Sequence, residues 1–362
     1  MSLNSTSALA STSAAWDFEN ELREITRKIC AKSDSSCTNM PINCTEIPQH
    51  SADAPAKPMI AIDGSYSFLF CRSGVWLGLV RVCVLKYTFE RGDRYTPGNG
   101  FIAYKLLSKI VHEKPVMIST NPDDYRECDD IMRKIFTLSK NSSERHREML
   151  NRYRSRLEQE TALKCATENK NTLISMDGAL VDINRNITLY PEIAEKCSEN
   201  GNFLIGVSKD SYTHAFGMHS TDEEFLGRKF TGKACYVRAP EDFERSNART
   251  LYGNVYFARL HPDGQKWFRV DIGTKDADEK EVFANFSPYC CSPLCTGYPY
   301  PLLEAHRMAV LVRQFHDAYE DLIIQHATDS GMEMSEILRC LTHIEGQAAG
   351  AFHEYLDIIS RE

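Results

Sequence analysis

The sequence predicts a mixed α/β fold, a sheet flanked by helices, with an N-terminal arm and C-terminal helices. Three observations carry that expectation. Two short apolar runs, Pro58–Ile62 and Leu173–Met176, each end in Asp-Gly, at Asp63-Gly64 and Asp177-Gly178. A third, Phe203–Val207, ends in the polar pair Ser208-Lys209. Apolar runs of this length between turn signals read as buried strands. Segments of helical spacing separate them, and strands alternating with helices form α/β sheets whose sites lie at strand ends.

Residues 1–56 read as an arm or linker, with a Ser/Thr/Ala-rich start, a short amphipathic helix over Trp16–Cys30 and then a Ser, Asn, Pro and Cys stretch without periodicity. At Lys57 the pattern changes to a strand expected to end in a turn at Asp63-Gly64. Gly74–Phe89 is apolar or alternating for long enough to supply one or two antiparallel partners. A largely helical zone is expected over Gly100–Lys164, interrupted by Pro115 and Pro122. Asn171–Leu180 repeats the strand with Asp-Gly, and Asn202–Lys209 gives a further strand. Val255–Leu260 and Lys266–Val270 flank Pro262-Asp263-Gly264, which is turn chemistry for a hairpin. A long helix is expected from Leu302 to Ala327, where Ala305, Met308, Ala309, Val312, Phe315 and Tyr319 recur at helical spacing. A last amphipathic helix covers Ser335–Ile359, weakened by Gly346 and Gly350. The expected organisation is an arm over 1–56, a main domain over 57–327 and a C-terminal helical piece over 328–362 that packs on the domain or at a dimer interface. A strand with an acid, an antiparallel hairpin, a helical section and further strands with a second acid is the element order of an RNase H-like sheet.

Apolar residues make up 42% and charged residues 25% of the chain, which excludes disordered, collagen-like and coiled-coil classes. The apolar runs are too short for a membrane span, and the Ser/Thr/Ala-rich start lacks the basic and apolar regions of a secretory signal. A cytoplasmic protein with no membrane association is expected. The net charge of −8 argues against a surface that coats nucleic acid. Basic residues nonetheless gather from Arg126 to Arg156, either as a helix face of internal ion pairs or as a phosphate-tracking surface. The thirteen cysteines are an odd number and are expected as thiols. Neither Cys30, Cys37 and Cys44 nor Cys290, Cys291 and Cys295 has the spacing of a structural zinc site.

Hydrolysis of a phosphodiester needs an activated water and relief of charge on the leaving oxygen, which two divalent cations about 4 Å apart can provide. Hard cations such as Mn²⁺ or Mg²⁺ take oxygen ligands, so such a site gathers carboxylates from separate elements. Asp63 and Asp177 fit: each follows an apolar strand and precedes a glycine that admits close approach. A single Asp-Gly is ordinarily a turn; two in matching strand contexts point further.

Ile62-Asp63-Gly64-Ser65-Tyr66, Met176-Asp177-Gly178-Ala179-Leu180, Gly206-Val207-Ser208-Lys209-Asp210 and Gly297-Tyr298-Pro299-Tyr300-Pro301-Leu302-Leu303-Glu304-Ala305-His306 resemble, in order over Pro58–Val312, the successive signatures of the NurA nucleases. The resemblance implies an RNase H-like domain and Mn²⁺-favoured (or Mg²⁺-dependent) cleavage of DNA, by two ions, as a 5′-to-3′ exonuclease and single-strand endonuclease. It also implies a homodimer that acts with a HerA-type hexameric ATPase in DNA end resection and repair. Residue by residue, it makes Asp63 and Asp177 metal ligands. A helix-borne glutamate joins them: Glu160 is favoured for its Arg156 partner, with Glu158 as the alternative. His306 matches a helix-borne histidine that ligates metal or positions phosphate, while Tyr298 and Lys209 match groups suited to holding phosphate oxygens. Residues 211–254 and the arm lie outside the resemblance. The ordinary readings of these residues are a helix-surface histidine, a packed turn aromatic and a solvated strand-end lysine. Two other functions stay open: a catalytically inactive RNase H-like partner of a HerA-type ATPase, and a metal-dependent phosphoesterase acting on small substrates.

Overall fold

The computed structural model describes residues 21–27, 42–48, 56–72, 75–90, 94–109, 116–118, 145–181, 188–216, 220–246, 251–310 and 313–333. Their strands are β1 (Thr45–Glu46), β2 (Met59–Arg72), β3 (Val75–Glu90), β4 (Arg94–Pro97), β5 (Phe101–Lys109), β6 (Val116–Ile118), β7 (Leu173–Asp177), β8 (Phe203–Ser208), β9 (Cys235–Arg238), β10 (Asn254–Arg259) and β11 (Phe268–Ile272). They form one mixed sheet in the order β1-β9-β10-β11-β8-β7-β2-β3-β5-β6, with β4 also on β3. β2, β7 and β8 are mutually parallel at its centre, and the pairs on either side of them are antiparallel.

The strand period of two divides the centre between two helical layers. Ile60 and Ile62 of β2, with Ile174 and Met176 of β7, pack under α1 (Arg145–Glu168) and α2 (Tyr190–Glu199) through Met149, Leu150, Tyr153, Leu157 and Ile193. Met59 and Ala61, with Leu173, face the other way, toward α5 (Glu279–Phe286) and α6 (Tyr300–Ala309), where Phe283, Tyr289, Leu302 and Ala305 close the core. By the same alternation Asp63 and Asp177 fall on the α6 side. Each fully buried aliphatic side chain contributes about 2 kcal/mol, so this core can support a buried acid at its edge. At the β9–β10 end, α3 (Asp222–Lys229) adds a smaller apolar cluster around Phe225, Phe257 and Trp267. The short α4 (Glu241–Ser246) precedes β10, and α7 (Arg313–Asp329) follows α6.

The mixed α/β sheet flanked by helices agrees with the sequence, as do β3, β8 and the β10–β11 hairpin, in which Asn254–Ala258 pair with Phe268–Ile272. Four expectations need correction. β2 does not turn at Asp63-Gly64: it stays paired with β3 through Asp63↔Cys83 and Gly64↔Val82 as far as Arg72. The zone after Gly100 is not all helical, because Phe101–Lys109 pairs along β3 as β5 and Val116–Ile118 extends the edge as β6. The long helix after Leu302 is two helices: α6 ends at Ala309, and Val310 adopts an extended backbone whose N–H still reaches the His306 carbonyl. Finally, Cys44 and Cys235 are joined in a disulfide that ties the segment before β1 to β9, where thiols were expected. Residues 21–27 are helical, within the expected arm helix; the C-terminal helix over Ser335–Ile359 and the basic residues from Arg126 to Lys140 lie outside the described residues. No described helix is long and apolar enough to cross a membrane.

Candidate active site

Adjacent parallel strands bring the two aspartates together. Ile62 pairs with Met176 across β2 and β7, so the next residue on each strand is an aspartate, the two side by side where the parallel pairing of the strands ends: Asp177 closes β7, while β2 runs on past Asp63 along β3. Burial is unequal: Asp63 is 3% exposed, while Asp177 is half-buried. Burial, followed by the nearby Asp177 charge, pushes the Asp63 carboxyl up from 3.8 to about 6, against the lowering influence of Lys209 and His306.

The two Asp-Gly steps differ physically. Gly178 sits at a φ of +106°, a left-handed turn that glycine adopts freely, and its N–H donates to Val207 O at 2.7 Å. Gly64 lies within the strand. A Cβ there would collide with the Glu158 carboxylate and meet Arg154 at 3.0 Å, so the glycine admits α1 to the backbone of β2. Its N–H donates to Asp63 Oδ1 at 2.8 Å.

His306, from α6, places Nδ1 2.6 Å from Asp63 Oδ2 and 3.9 Å from Asp177 Oδ2. With the proton on Nδ1, the imidazole donates to Asp63. Pro301 in the first turn suits the start of α6, and the buried residues Leu302, Ala305 and Ala309 fix the helix face beside which His306 projects. Tyr298 precedes that helix, just after Gly297 at a φ of +92°. Its ring tilts against Phe268 at 5.4 Å, and its hydroxyl donates to Asp177 Oδ1 at 3.1 Å. Burial first and Asp177 next push this phenol far above its ordinary value, so it stays a protonated donor. Lys209, just past β8, places Nζ 2.5 Å from Asp177 Oδ2 and 5.8 Å from the Tyr298 ring centre. Ligand atoms of Asp63, Asp177 and His306 all lie within 4.8 Å of one another, two hard oxygen donors and an imidazole that suit a divalent cation.

Thus Asp63, Asp177, Lys209, Tyr298 and His306 meet. Glu160 does not join them: it is partly exposed and pairs with Arg156 at 2.8 Å along the helix. Glu158 is the glutamate brought to β2, buried against Gly64 and held by Arg154 Nη1 at 2.7 Å. Burial above all, with Asp63 and Asp177 adding, pushes it up from 4.5 to about 7, although Arg154 and a backbone hydrogen bond from Gly64 act the other way. Arg152, Arg154 and Arg156 each pair with a glutamate on the same helix, so this part of the basic segment is a row of internal ion pairs.

Two supports escaped the sequence reading. Arg154 Nη1 also donates to Gly64 O at 3.3 Å, joining α1 to the strand beside Asp63; its spacing of four from Glu158 was the available signal. Arg269 donates to both oxygens of fully buried Asp271 at 2.8 Å, and Asp271 accepts the Leu180 N–H at 2.9 Å, fixing the turn after Asp177. Two charges at alternate positions of an apolar strand were the sign of that pair. The Cys290, Cys291 and Cys295 thiols bond to the Phe286, Ser287 and Tyr298 carbonyls, consistent with their reading as buried or loop thiols.

Comparison with known proteins gives a family and a fold. The NurA domain model matches residues 57–311. The crystal structure of the NurA nuclease from Sulfolobus solfataricus superposes with a TM-score of 0.52 at 16% identity, over 89% of this chain and 98% of that one. Ciona intestinalis endonuclease V, in complex with a 24mer DNA containing an inosine followed by a ribo-adenosine, matches with a TM-score of 0.37 at 13% identity, over 80% of this chain and 96% of that one. The catalytic domain of human endonuclease V matches with a TM-score of 0.35 at 11% identity, over 80% and 95%. No match was found among curated proteins. Because the family match takes in most of the sequence, including both Asp-Gly steps and the turn and helix that carry Tyr298 and His306, this chain belongs to the NurA family.

Proposed function

We propose that this chain is a divalent-metal-dependent nuclease that hydrolyses DNA phosphodiester bonds at the Asp63–Asp177 centre. One observation carries the reading: two carboxylates and an imidazole from β2, β7 and α6 converge within 4.8 Å where the parallel pairing of β2 with β7 ends. The donor set fits the ion. Asp63 is buried beside a second acid at a cost visible in its raised proton affinity, and a cation relieves that repulsion. Asp63, Asp177 and His306 are the proposed ligands, with Glu158 in the role assigned from sequence to Glu160. When bound, the ion would supply neutralisation of phosphate charge and a water far more acidic than bulk water.

The protein's own groups do the rest. Lys209 and the Tyr298 hydroxyl, both now on Asp177, are donors at the right place to take phosphate oxygens. Their engagement with Asp177 keeps them oriented in the free protein. His306, with 45% of its side chain exposed, is held by Asp63 through Nδ1, which fixes the ring so that its other nitrogen is free to serve as the ligand. The Arg269–Asp271 pair and the Gly178 turn keep Asp177 from drifting.

The finer reading follows the family resemblance: Mn²⁺ in preference to Mg²⁺, two ions, 5′-to-3′ exonuclease and single-strand endonuclease activity, and a cytoplasmic homodimer working with a HerA-type hexameric ATPase in end resection. The net charge of −8 supports delivery of DNA by a motor, since unaided binding depends on phosphate neutralisation. Incubation with end-labelled linear DNA, Mn²⁺ and an EDTA control tests the core proposal. Cleavage that needs metal is expected; no cleavage, or cleavage indifferent to EDTA, contradicts it. Equal rates with and without the ATPase at physiological salt would remove the partner from the account.

A further inference from the structure

The loop that follows Lys209 presents an aromatic ring to solvent from a tightly held backbone. Asp222, at the start of α3, is fully buried and accepts from the Thr213 hydroxyl at 2.7 Å, the Ala215 N–H at 2.8 Å and the Phe216 N–H at 3.2 Å. Its own N–H donates to Thr213 O at 3.0 Å, and the Ser211 and Thr213 hydroxyls share a hydrogen bond of 2.8 Å. Phe216 anchors the far end of the loop against Phe225 and Phe257. In the midst of these restraints Tyr212 is 83% exposed. Folding therefore leaves the face of that ring open to an outside partner, with its hydroxyl as a polar handle.

Position supplies the second observation. Tyr212 lies three residues beyond Lys209, whose ammonium rests on Asp177, so the two Cα atoms are within about 11 Å even in extended chain. Between them, Asp210 pairs with the Lys266 ammonium at 2.5 Å, which brings a second cation from the segment before β11 against this loop. An aromatic ring on a restrained loop within reach of cations suits the holding of unpaired nucleic acid, the cations following phosphates and the ring stacking on a base whatever its sequence.

We propose that Tyr212 is a stacking platform for an unpaired nucleobase next to the scissile phosphate, so that the active site grips a single-stranded stretch of DNA. This rests on the nuclease reading above. Binding is measured by fluorescence anisotropy in Ca²⁺ for the wild type, Tyr212→Phe and Tyr212→Ala, on a labelled single-stranded oligonucleotide and on the same backbone made of abasic sites. Tyr212→Ala should bind the base-containing strand about tenfold more weakly, with Tyr212→Phe within about twofold of wild type. On the abasic strand the three proteins should bind alike. Equal binding of wild type and Tyr212→Ala to the base-containing strand overturns the proposal, as does an equal loss on the abasic strand. A wild type that binds and cuts DNA while Tyr212 makes no difference removes the platform and leaves the nuclease; a wild type that neither binds nor cuts any DNA removes both.

Discussion

Nδ1 of His306 lies 2.6 Å from Oδ2 of Asp63, a contact between α6 and β2 that spans 243 positions of sequence. It makes the most buried acid of the site a partner of its most exposed ligand candidate, and it links folding of the C-terminal part of the domain to the geometry of the first strand. His306→Ala should therefore lower cleavage by at least about 100-fold, through lost positioning as well as a lost ligand. Single-turnover rates in Mn²⁺ give the measure; a rate within a few-fold of wild type would remove His306 from the site.

Burial of Asp63 makes a signed pH prediction. Its folded-state value, about 6, lies above the ordinary 3.8. Its contribution to stability is thus fully present below the ordinary value and is lost as pH rises through the folded one. In EDTA, the stability of wild type relative to Asp63→Asn should fall by about 2 kcal/mol between about pH 4 and about pH 8. Urea denaturation of both proteins across that range decides it, and a difference that is flat or rises with pH contradicts the buried, repelled carboxyl.

Metal should reverse the same penalty. An ion that binds only the folded site stabilises it by mass action, by about 2.7 kcal/mol at a concentration of 100 times Kd, and so raises Tm. Mn²⁺ should stabilise the wild type, and the Asp63→Asn, Asp177→Asn double variant should respond far less. Identical melting shifts would mean that Mn²⁺ binds elsewhere.

The two glutamates can be ranked. Glu158→Gln should reduce cleavage by orders of magnitude, whereas Glu160→Gln, which loses only a half-exposed ion pair with Arg156, should cost less than about 1 kcal/mol of stability and little rate. Gly64→Ala should behave like Glu158→Gln and also destabilise by about 1–3 kcal/mol, because its methyl group would occupy the space of the Glu158 carboxylate. Rates and urea midpoints of the three variants test the ranking, and an inactive Glu160→Gln beside an active Glu158→Gln would restore the assignment made from sequence.

These residues also show where sequence reasoning stops. Asp63 and Asp177 were legible because an apolar run that ends in a charge is a local pattern, and the parallel register of β2 with β7 then makes them neighbours. Lys209, Tyr298 and His306 became candidates through the family signatures, since each alone looks like an ordinary surface or turn residue. The choice between Glu158 and Glu160 depends on which face of α1 meets the sheet. Leu150 against Gly78 and Glu158 against Gly64 define that row, and both contacts are tertiary. The β5 segment fails for the same reason: Phe101–Leu107 fits either period, and pairing with β3 decides it. Tyr212 lay outside every signature and is singled out only by its exposure on a restrained loop.

Asp177 is proposed to serve the chemistry rather than DNA binding, and a paired measurement on one linear DNA substrate separates the two. Asp177→Asn keeps the side chain's size and replaces an anionic ligand with a neutral amide. Cleavage in Mn²⁺ should fall by at least about 1,000-fold, a loss of about 4 kcal/mol in transition-state stabilisation, while affinity in Ca²⁺ changes by less than about tenfold, since binding rests on phosphate contacts made by other residues. A folded Asp177→Asn protein that still cuts at close to the wild-type rate would rule out Asp177 as a ligand of the cleaving centre.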